Sequence, residues 1–288
     1  MSANSNPWTA LATDIGKRRH NNEDYVLACE PSSETLRVAK GCLYVVADGI
    51  GGGAAGEVAS RFSAQAVAYH YYLRSGDPAT ILTQSILDVN AALYDYAQTH
   101  LRLATMGTTI VAAVVRGETL HVAHVGDSRA YLIRQNTIHR LTEDHNLTSQ
   151  LVRDGIITAA QAERHPQKHL LLRSIGGERK VLPDCGRFLL LEGDTLLLCS
   201  DGLTRHISDE EIATLVANYD PHQGAKALLE TANHRGGYDN VSVLIVRWLS
   251  DANVSAPHRG ILSEPPPLPD IDEIRLLAQI QSVDARGP

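Results

Sequence analysis

Apolar residues recur along this chain with two spacings, and the switches between them lay out its elements. Ala39 to Ala47 is an apolar run of strand length, following a polar leader. Val58, Phe62, Ala66, Tyr69 and Leu73 then fall at helical spacing, which predicts a helix over Val58–Leu73 that stops at Gly76. Asp77-Pro78 supplies an N-cap and an N1 proline for a second helix, with Leu82, Ile86, Val89, Leu93 and Tyr96 on one face. Four short strands follow, Thr108–Val115, Thr119–Val125, Ala130–Arg134 and Thr137–Leu141. Tight turns at Arg116-Gly117-Glu118 and Gln135-Asn136 join them, which predicts an antiparallel meander.

Residues 142–176 break that rhythm with two small helices. Leu147–Asp154 ends at Gly155, and Thr158–His165 opens with a Thr158-x-x-Gln161 capping box and stops before Pro166. Strands resume at Arg187–Leu191 and Thr195–Ser200. A second capping box, Ser208-x-x-Glu211, opens a helix to about Asn218; another helix covers Gly224–Asn233, and Val241–Trp248 is the last strong strand. Strands in blocks and helices in pairs predict antiparallel α+β layers, not alternating βαβ units. From residue 250 the texture changes to Pro265-Pro266-Pro267 and Pro269, then a short apolar-acidic segment. We therefore expect a domain over 1–249 and a linker with a tail over 250–288.

Composition narrows the classes. With 288 residues, 43% of them hydrophobic and 20% charged, the chain has material for a sizeable core. A formal net charge of −7 argues against general nucleic-acid binding, which needs a basic surface. No apolar run approaches the ~20 residues of a membrane span, and the first thirty residues lack a signal core. The four cysteines are scattered without a C-x-x-C pair, and Cys42 and Cys199 lie in apolar runs, as buried thiols in a reducing cytoplasm would.

One stretch, VVADGIGGGAAG (residues 45–56), fits the G-x-G-x-x-G pattern of a dinucleotide loop. That reading needs a second parallel strand ending in a ribose-binding acid. Here a helix runs into another helix instead, and Asp48 would sit beside the pyrophosphate and repel it. A different pattern connects the loop to the rest of the chain. Asp48 ends one apolar strand, Asp127 and Asp201 follow two others, and Asp239 precedes a fourth. Four carboxylates gathered at strand ends repel one another unless cations neutralise them, and oxygen ligands suit Mg²⁺ or Mn²⁺ better than zinc.

The ordered motifs are TDIGKRRHNNED (13–24), ADGIGG from Ala47, MGTT (106–109), HVGDSRA (124–130), LTEDH (141–145), SDGL (200–203) and DNVS (239–242). With them the chain resembles the metal-dependent protein phosphatase 2C-type (PPM) family in its compact bacterial form, over about residues 9–249. The resemblance implies two antiparallel sheets packed as a sandwich between helix pairs, in four αββα layers, with metals at the sheet ends. It implies hydrolysis of phosphoserine and phosphothreonine esters on proteins by a metal-activated water, with phosphorylated proteins, products of a Ser/Thr kinase, as partners. By the same resemblance Asp48 and the carbonyl of Gly49 bind metal, and Asp201 and Asp239 complete a two-ion site. Asp24 acts through bound water, Asp127 matches the family's third-ion aspartate, and Arg19 matches the arginine that grips the substrate phosphate.

The chain departs from the family at two places. Ile50 stands where eukaryotic relatives carry a proton-donating histidine. Arg205 stands where many members carry Asp or Asn near the third ion, so a cation weakens that position. The 142–176 insertion matches the family's flap. Two alternatives stay open: a catalytically silent relative that docks phosphoproteins, and a small-molecule phosphomonoesterase. Residues 264–284 form a candidate docking element for a partner or a second copy.

Overall fold

The computed structural model describes residues 5–52, 54–100 and 105–250. The tail with its docking segment at 264–284 lies outside the described residues.

The near-continuous apolar runs have a simple cause: their strands are covered on both faces. One sheet runs in the order β1 (Ser5–Asp14), β11 (Val241–Ser250), β10 (Thr195–Cys199), β7 (Arg129–Arg134) and β8 (Thr137–Arg140). The other runs β2 (Asp24–Cys29), β3 (Cys42–Ile50), β5 (Ile110–Arg116), β6 (Thr119–Val125) and β9 (Asp184–Leu189), with the short β4 (Gly107–Thr108) beside β3. Every pairing is antiparallel.

Period-two alternation sends each strand's side chains into two cores. From β3, Tyr44 and Val46 face Leu132, Leu198 and Leu244 of the other sheet, while Leu43, Val45 and Ala47 pack under helices. Those helices are α2 (Ala54–Leu73) and α3 (Pro78–Thr99), whose Val58, Phe62, Ile86 and Leu93 fill the outer core. On the opposite side Leu197, Val243 and Ile245 pack against α6 (Asp201–Thr204), α7 (Asp209–Asn218) and α8 (Pro221–His234). The layers are therefore helix, sheet, sheet, helix, as expected. Fully burying one such Leu, Ile or Val is worth about 1.5–3 kcal/mol, so three cores hold the strand ends firmly in place.

Several local expectations change. The polar leader holds two strands, β1 and β2, and a helix, α1 (Glu34–Lys40), which ends at Gly41 so that β3 begins only at Cys42. The predicted meander does not run through four strands of one sheet. β5 and β6 pair in one sheet and β7 and β8 in the other, because the chain crosses between sheets at Gly126-Asp127-Ser128. Gly126 sits at φ 108°, and a Cβ there would lie 2.6 Å from the Thr109 side chain, so only glycine permits this crossing. Both capping boxes form, at Thr158/Gln161 of α5 (Ala159–Glu163) and at Ser208/Glu211 of α7. α4 (Leu147–Arg153) begins at Asn146, whose side chain caps it.

Candidate metal centre

The strand ends converge at one edge of the sandwich. Asp24 and Asp48 are directly opposed in the β2–β3 register, an arrangement that is unfavourable for two like charges without a compensating cation. Asp201 opens α6 at the end of β10, and Asp239 lies two residues before β11. The α6 and β11 segments touch closely, since a Cβ on Gly202 would stand 1.9 Å from the Asn240 carbonyl oxygen. Across the glycine loop of residues 45–56, a Cβ on Gly49 would meet the Gly56 carbonyl oxygen at 2.2 Å. The glycines of that loop thus let backbone segments close over Glu23 and Asp48, and no ligand-binding role is needed to explain them.

Neutral side chains fix this arrangement. Asn240 accepts from Glu23 N at 2.9 Å and donates to the carbonyls of Ile15 and Asn21, each at 2.9 Å, tying the 15–23 loop to β11. Ser200 Oγ donates to Asp24 Oδ2 at 2.7 Å and accepts from Ser242 N at 3.0 Å. Thr109 Oγ1 accepts from Asp48 N at 3.1 Å, while Thr109 N and Thr108 Oγ1 both donate to the Asp48 carbonyl at 2.8 Å. Sequence reasoning quoted these residues inside motifs but gave them no role. Their signal was adjacency: each sits next to an aspartate or at the end of a paired strand.

Asp24 and Asp239 are buried at 7% exposure, Asp201 at 8% and Asp127 at 6%, while Asp48 is half-buried. Burial chiefly, with Asp201 and Asp239 adding to it and the Ser200 and Ser242 hydroxyls opposing, pushes Asp24 up to about 7. Burial likewise raises Asp48 well above the usual carboxylate range, and Asp24, Asp201, Asp127 and Asp239 push it further. Asp127 is raised by burial, Asp201 and Asp144, against the pull of Arg205 and Arg129. Asp201 is raised by burial, with Arg205 opposing.

Two cations reach into the cluster. Arg19 Nε contacts Asp239 Oδ1 at 2.7 Å, and its terminal nitrogens make no hydrogen bond among the described residues. Arg205 bridges Asp201 Oδ2 and Asp239 Oδ2, the latter at 2.6 Å. Even so, Asp24 Oδ1 and Asp201 Oδ1 are buried without a hydrogen-bond partner. Orphaned carboxylate oxygens in a nest of other carboxylates fit hard divalent cations, which take oxygen donors and keep several waters.

The acids do not form one tight cage. Among the described residues, the group of side chains whose ligand atoms converge within 4.8 Å is His124, His145 and Asp184, none of them a predicted ligand. That group is already engaged with its own partners. His145 Nδ1 accepts from Gly126 N at 3.2 Å, so its Nε2 carries the proton, 3.3 Å from Asp184 Oδ2 and 3.2 Å from Arg173 Nη1, a second donor that shares this carboxylate. His124 Nε2 donates to the Glu143 carbonyl at 2.7 Å, and Arg173 donates to Asp184 at 2.7 Å. Ligation at His145 Nε2 would move the proton to Nδ1, where the Gly126 N–H already points. We therefore assign this group to structure.

A cavity of about 610 Å³ opens beside the acids, bordered by Asp127, Asp201 and Arg205 and by Ser149, Lys168 and His169 of the 142–176 insertion. The insertion thus forms one wall of that cavity.

Comparison with known proteins identifies the family and the fold. Residues 11–151 match the family profile described as Protein phosphatase 2C. The chain is 38% identical over 240 residues to the serine/threonine phosphatase stp of Listeria welshimeri, covering 81% of this chain and 93% of that one. A solved Streptococcus agalactiae serine/threonine phosphatase superposes with TM-score 0.77 at 37% identity, over 84% of this chain and 99% of that one. The catalytic domain of the phosphatase PstP, solved in complex with two manganese ions, gives TM-score 0.73 at 33% identity over 85% and 99%.

Proposed function

The chain belongs to the protein phosphatase 2C family and is a metal-dependent protein serine/threonine phosphatase, and from that premise we propose how its own residues carry out the reaction. Asp48, the Gly49 carbonyl, Asp201 and Asp239 would hold two divalent ions, Mn²⁺ or Mg²⁺, and Asp24 would engage through water. The single observation that carries this reading is the pair of orphaned oxygens, Asp24 Oδ1 and Asp201 Oδ1, buried among acids whose protonation burial favours. Bound there, divalent ions supply Lewis acidity, which lowers the pKa of water toward neutrality and neutralises phosphoryl oxygens.

The chain's contribution is placement. Ser200 and Ser242 fix Asp24, and Thr108 and Thr109 lock the Asp48 backbone, so the carboxylates need little reorganisation when charge develops. Arg19, held through Nε by Asp239, presents its terminal nitrogens as a fork for two phosphate oxygens, which a lysine cannot match. Ile50 stands beside the Gly49 ligand as an apolar side chain, so proton donation to the leaving alkoxide falls to another group. The substrates are phosphoproteins made by a Ser/Thr kinase. Four free cysteines, three of them buried, suit a reducing cytoplasm. No helix among the described residues is long and apolar enough to cross a membrane.

Phosphate release from a phosphothreonine peptide and from a small aryl phosphate, with Mn²⁺ and with excess chelator, tests the reading. Metal-dependent turnover favouring the peptide supports it. Full activity in chelator overturns the metal centre, and turnover of the aryl phosphate alone points to a small-molecule phosphomonoesterase.

A further inference from the structure

Arg205 is the feature of this site that the family resemblance does not explain. It caps the short helix α6, with its backbone N–H on the Asp201 carbonyl at 2.9 Å, and its side chain folds back over the same turn. The two terminal nitrogens end on two different aspartates, Asp201 Oδ2 and Asp239 Oδ2. Both oxygens of Asp239 are then engaged: Oδ2 by Arg205, and Oδ1 by Arg19 at 2.7 Å and by Asn240 N at 3.0 Å. Asp201 keeps one oxygen, Oδ1, without a partner. A carboxylate oxygen gripped by a guanidinium offers less to a divalent ion, so ions entering this pair must displace arginine contacts.

Charge leads to the same place. Once both guanidiniums are counted, two divalent ions already over-neutralise the five carboxylates, and a third ion would add two more positive charges. The side chain also has somewhere to go, because Arg205 borders the 610 Å³ cavity under the flap, which carries Asp144, Glu163 and Glu211 on its walls.

Resting on the two-ion reading above, we propose that Arg205 is an internal competitor of the divalent ions. It clamps Asp201 and Asp239 together in the ion-free protein and withdraws into the flap cavity as ions load. The ion-free cluster is thereby spared the repulsion of two bare carboxylates, and the ions bind more weakly than the same acids would otherwise bind them. This assigns Arg205 a positioning role: it acts on the ligands, not on the phosphate.

The test is a Mn²⁺ titration by calorimetry of wild type and Arg205→Asn, paired with thermal unfolding of each with and without Mn²⁺. Loss of one charge-assisted pair predicts a dissociation constant lower by roughly tenfold or more in Arg205→Asn. The ion-free melting temperature should fall at the same time, so the gap between ion-free and ion-loaded forms widens. Arg205→Lys keeps the charge without the fork, and should bind Mn²⁺ with intermediate affinity; it carries the test if Arg205→Asn does not fold without ions. Unchanged or weaker Mn²⁺ binding in the folded variants, or an unaltered ion-free melting temperature, overturns the proposal while leaving the two-ion reading intact. Absence of Mn²⁺ binding by wild type overturns both.

Discussion

Two buried polar clusters lie three residues apart on the same strand end, His124 in one and Asp127 in the other, and they solve opposite problems. The histidine cluster balances its own charge: Arg173 and His145 both face the Asp184 carboxylate, His124 donates to a backbone carbonyl, and the stacked imidazole centroids lie 4.6 Å apart. The aspartate cluster does not. It opposes Asp24 to Asp48 in register, leaves two oxygens orphaned, and relies on two arginines, Arg19 and Arg205. A buried polar group that is satisfied contributes structure, while one left unsatisfied costs about 1–3 kcal/mol, and two orphaned carboxylate oxygens among other acids point to cations that they are built to bind. Convergence of ligand atoms alone would have chosen the histidines. Unsatisfied charge chooses the aspartates.

The comparison breaks most sharply at Asp48. Asp48→Asn should reduce turnover of a phosphothreonine peptide by more than the roughly 100-fold typical of losing an outer-shell metal contact. The ion-free protein should keep or gain stability, since one of two opposed acids is removed. A phosphatase assay with a melting curve on the same sample checks both halves. Wild-type turnover would transfer the chemistry away from this cluster.

Next in size is Arg19. Arg19→Ala removes a charge-assisted contact worth about 1.5–3 kcal/mol, so kcat/KM should fall tenfold or more, and Arg19→Lys should recover only part of that loss. Equal kcat/KM in the alanine variant would make the Asp239 contact its whole role.

Asn240 probes the frame between the clusters' chemistry and the fold. Asn240→Ala leaves Glu23 N and two loop carbonyls without their partner, a destabilisation of about 1–3 kcal/mol that denaturant unfolding can read. A stability equal to wild type would show that water replaces the side chain at no loss.

The smallest effect belongs to the histidine cluster and is a matter of pH. Burial first, then His124 and Arg173, pushes His145 down to about 4, against the opposing pull of Asp184. The unfolded chain therefore takes up this proton first as pH falls below the ordinary 6.5. Stability linked to His145 is complete above 6.5 and is lost progressively down to about 4. His145→Gln should flatten that part of the stability profile, leaving turnover per folded molecule within about threefold of wild type. An unchanged profile would mean that other groups set the acid limb.

The residues that could be read from the chain were those whose neighbours in sequence are also their neighbours in space. Asp48 follows its own apolar strand, and the capping boxes at Thr158 and Ser208 form within four residues. Whatever depends on distant pairing stayed hidden. β1 is held by ten register pairs to β11, more than two hundred residues away, and nothing local marks it as a strand. The sheet change at Gly126 is decided by the Thr109 side chain beneath it, and the roles of Ser200 and Asn240 exist only once the 15–23 loop has folded onto β11. Arg205 was legible as an unusual residue, but its grip on two separate aspartates was not.

The most direct test of the central claim is a count of Mn²⁺ bound per chain, by equilibrium dialysis or by loss of the free-ion EPR signal. It compares wild type, Asp48→Asn and His145→Gln. Two ions per chain in wild type and His145→Gln, with binding lost in Asp48→Asn, is the predicted result. Wild-type binding in Asp48→Asn, or an ion lost only from His145→Gln, would place the metal in the other cluster and contradict the account.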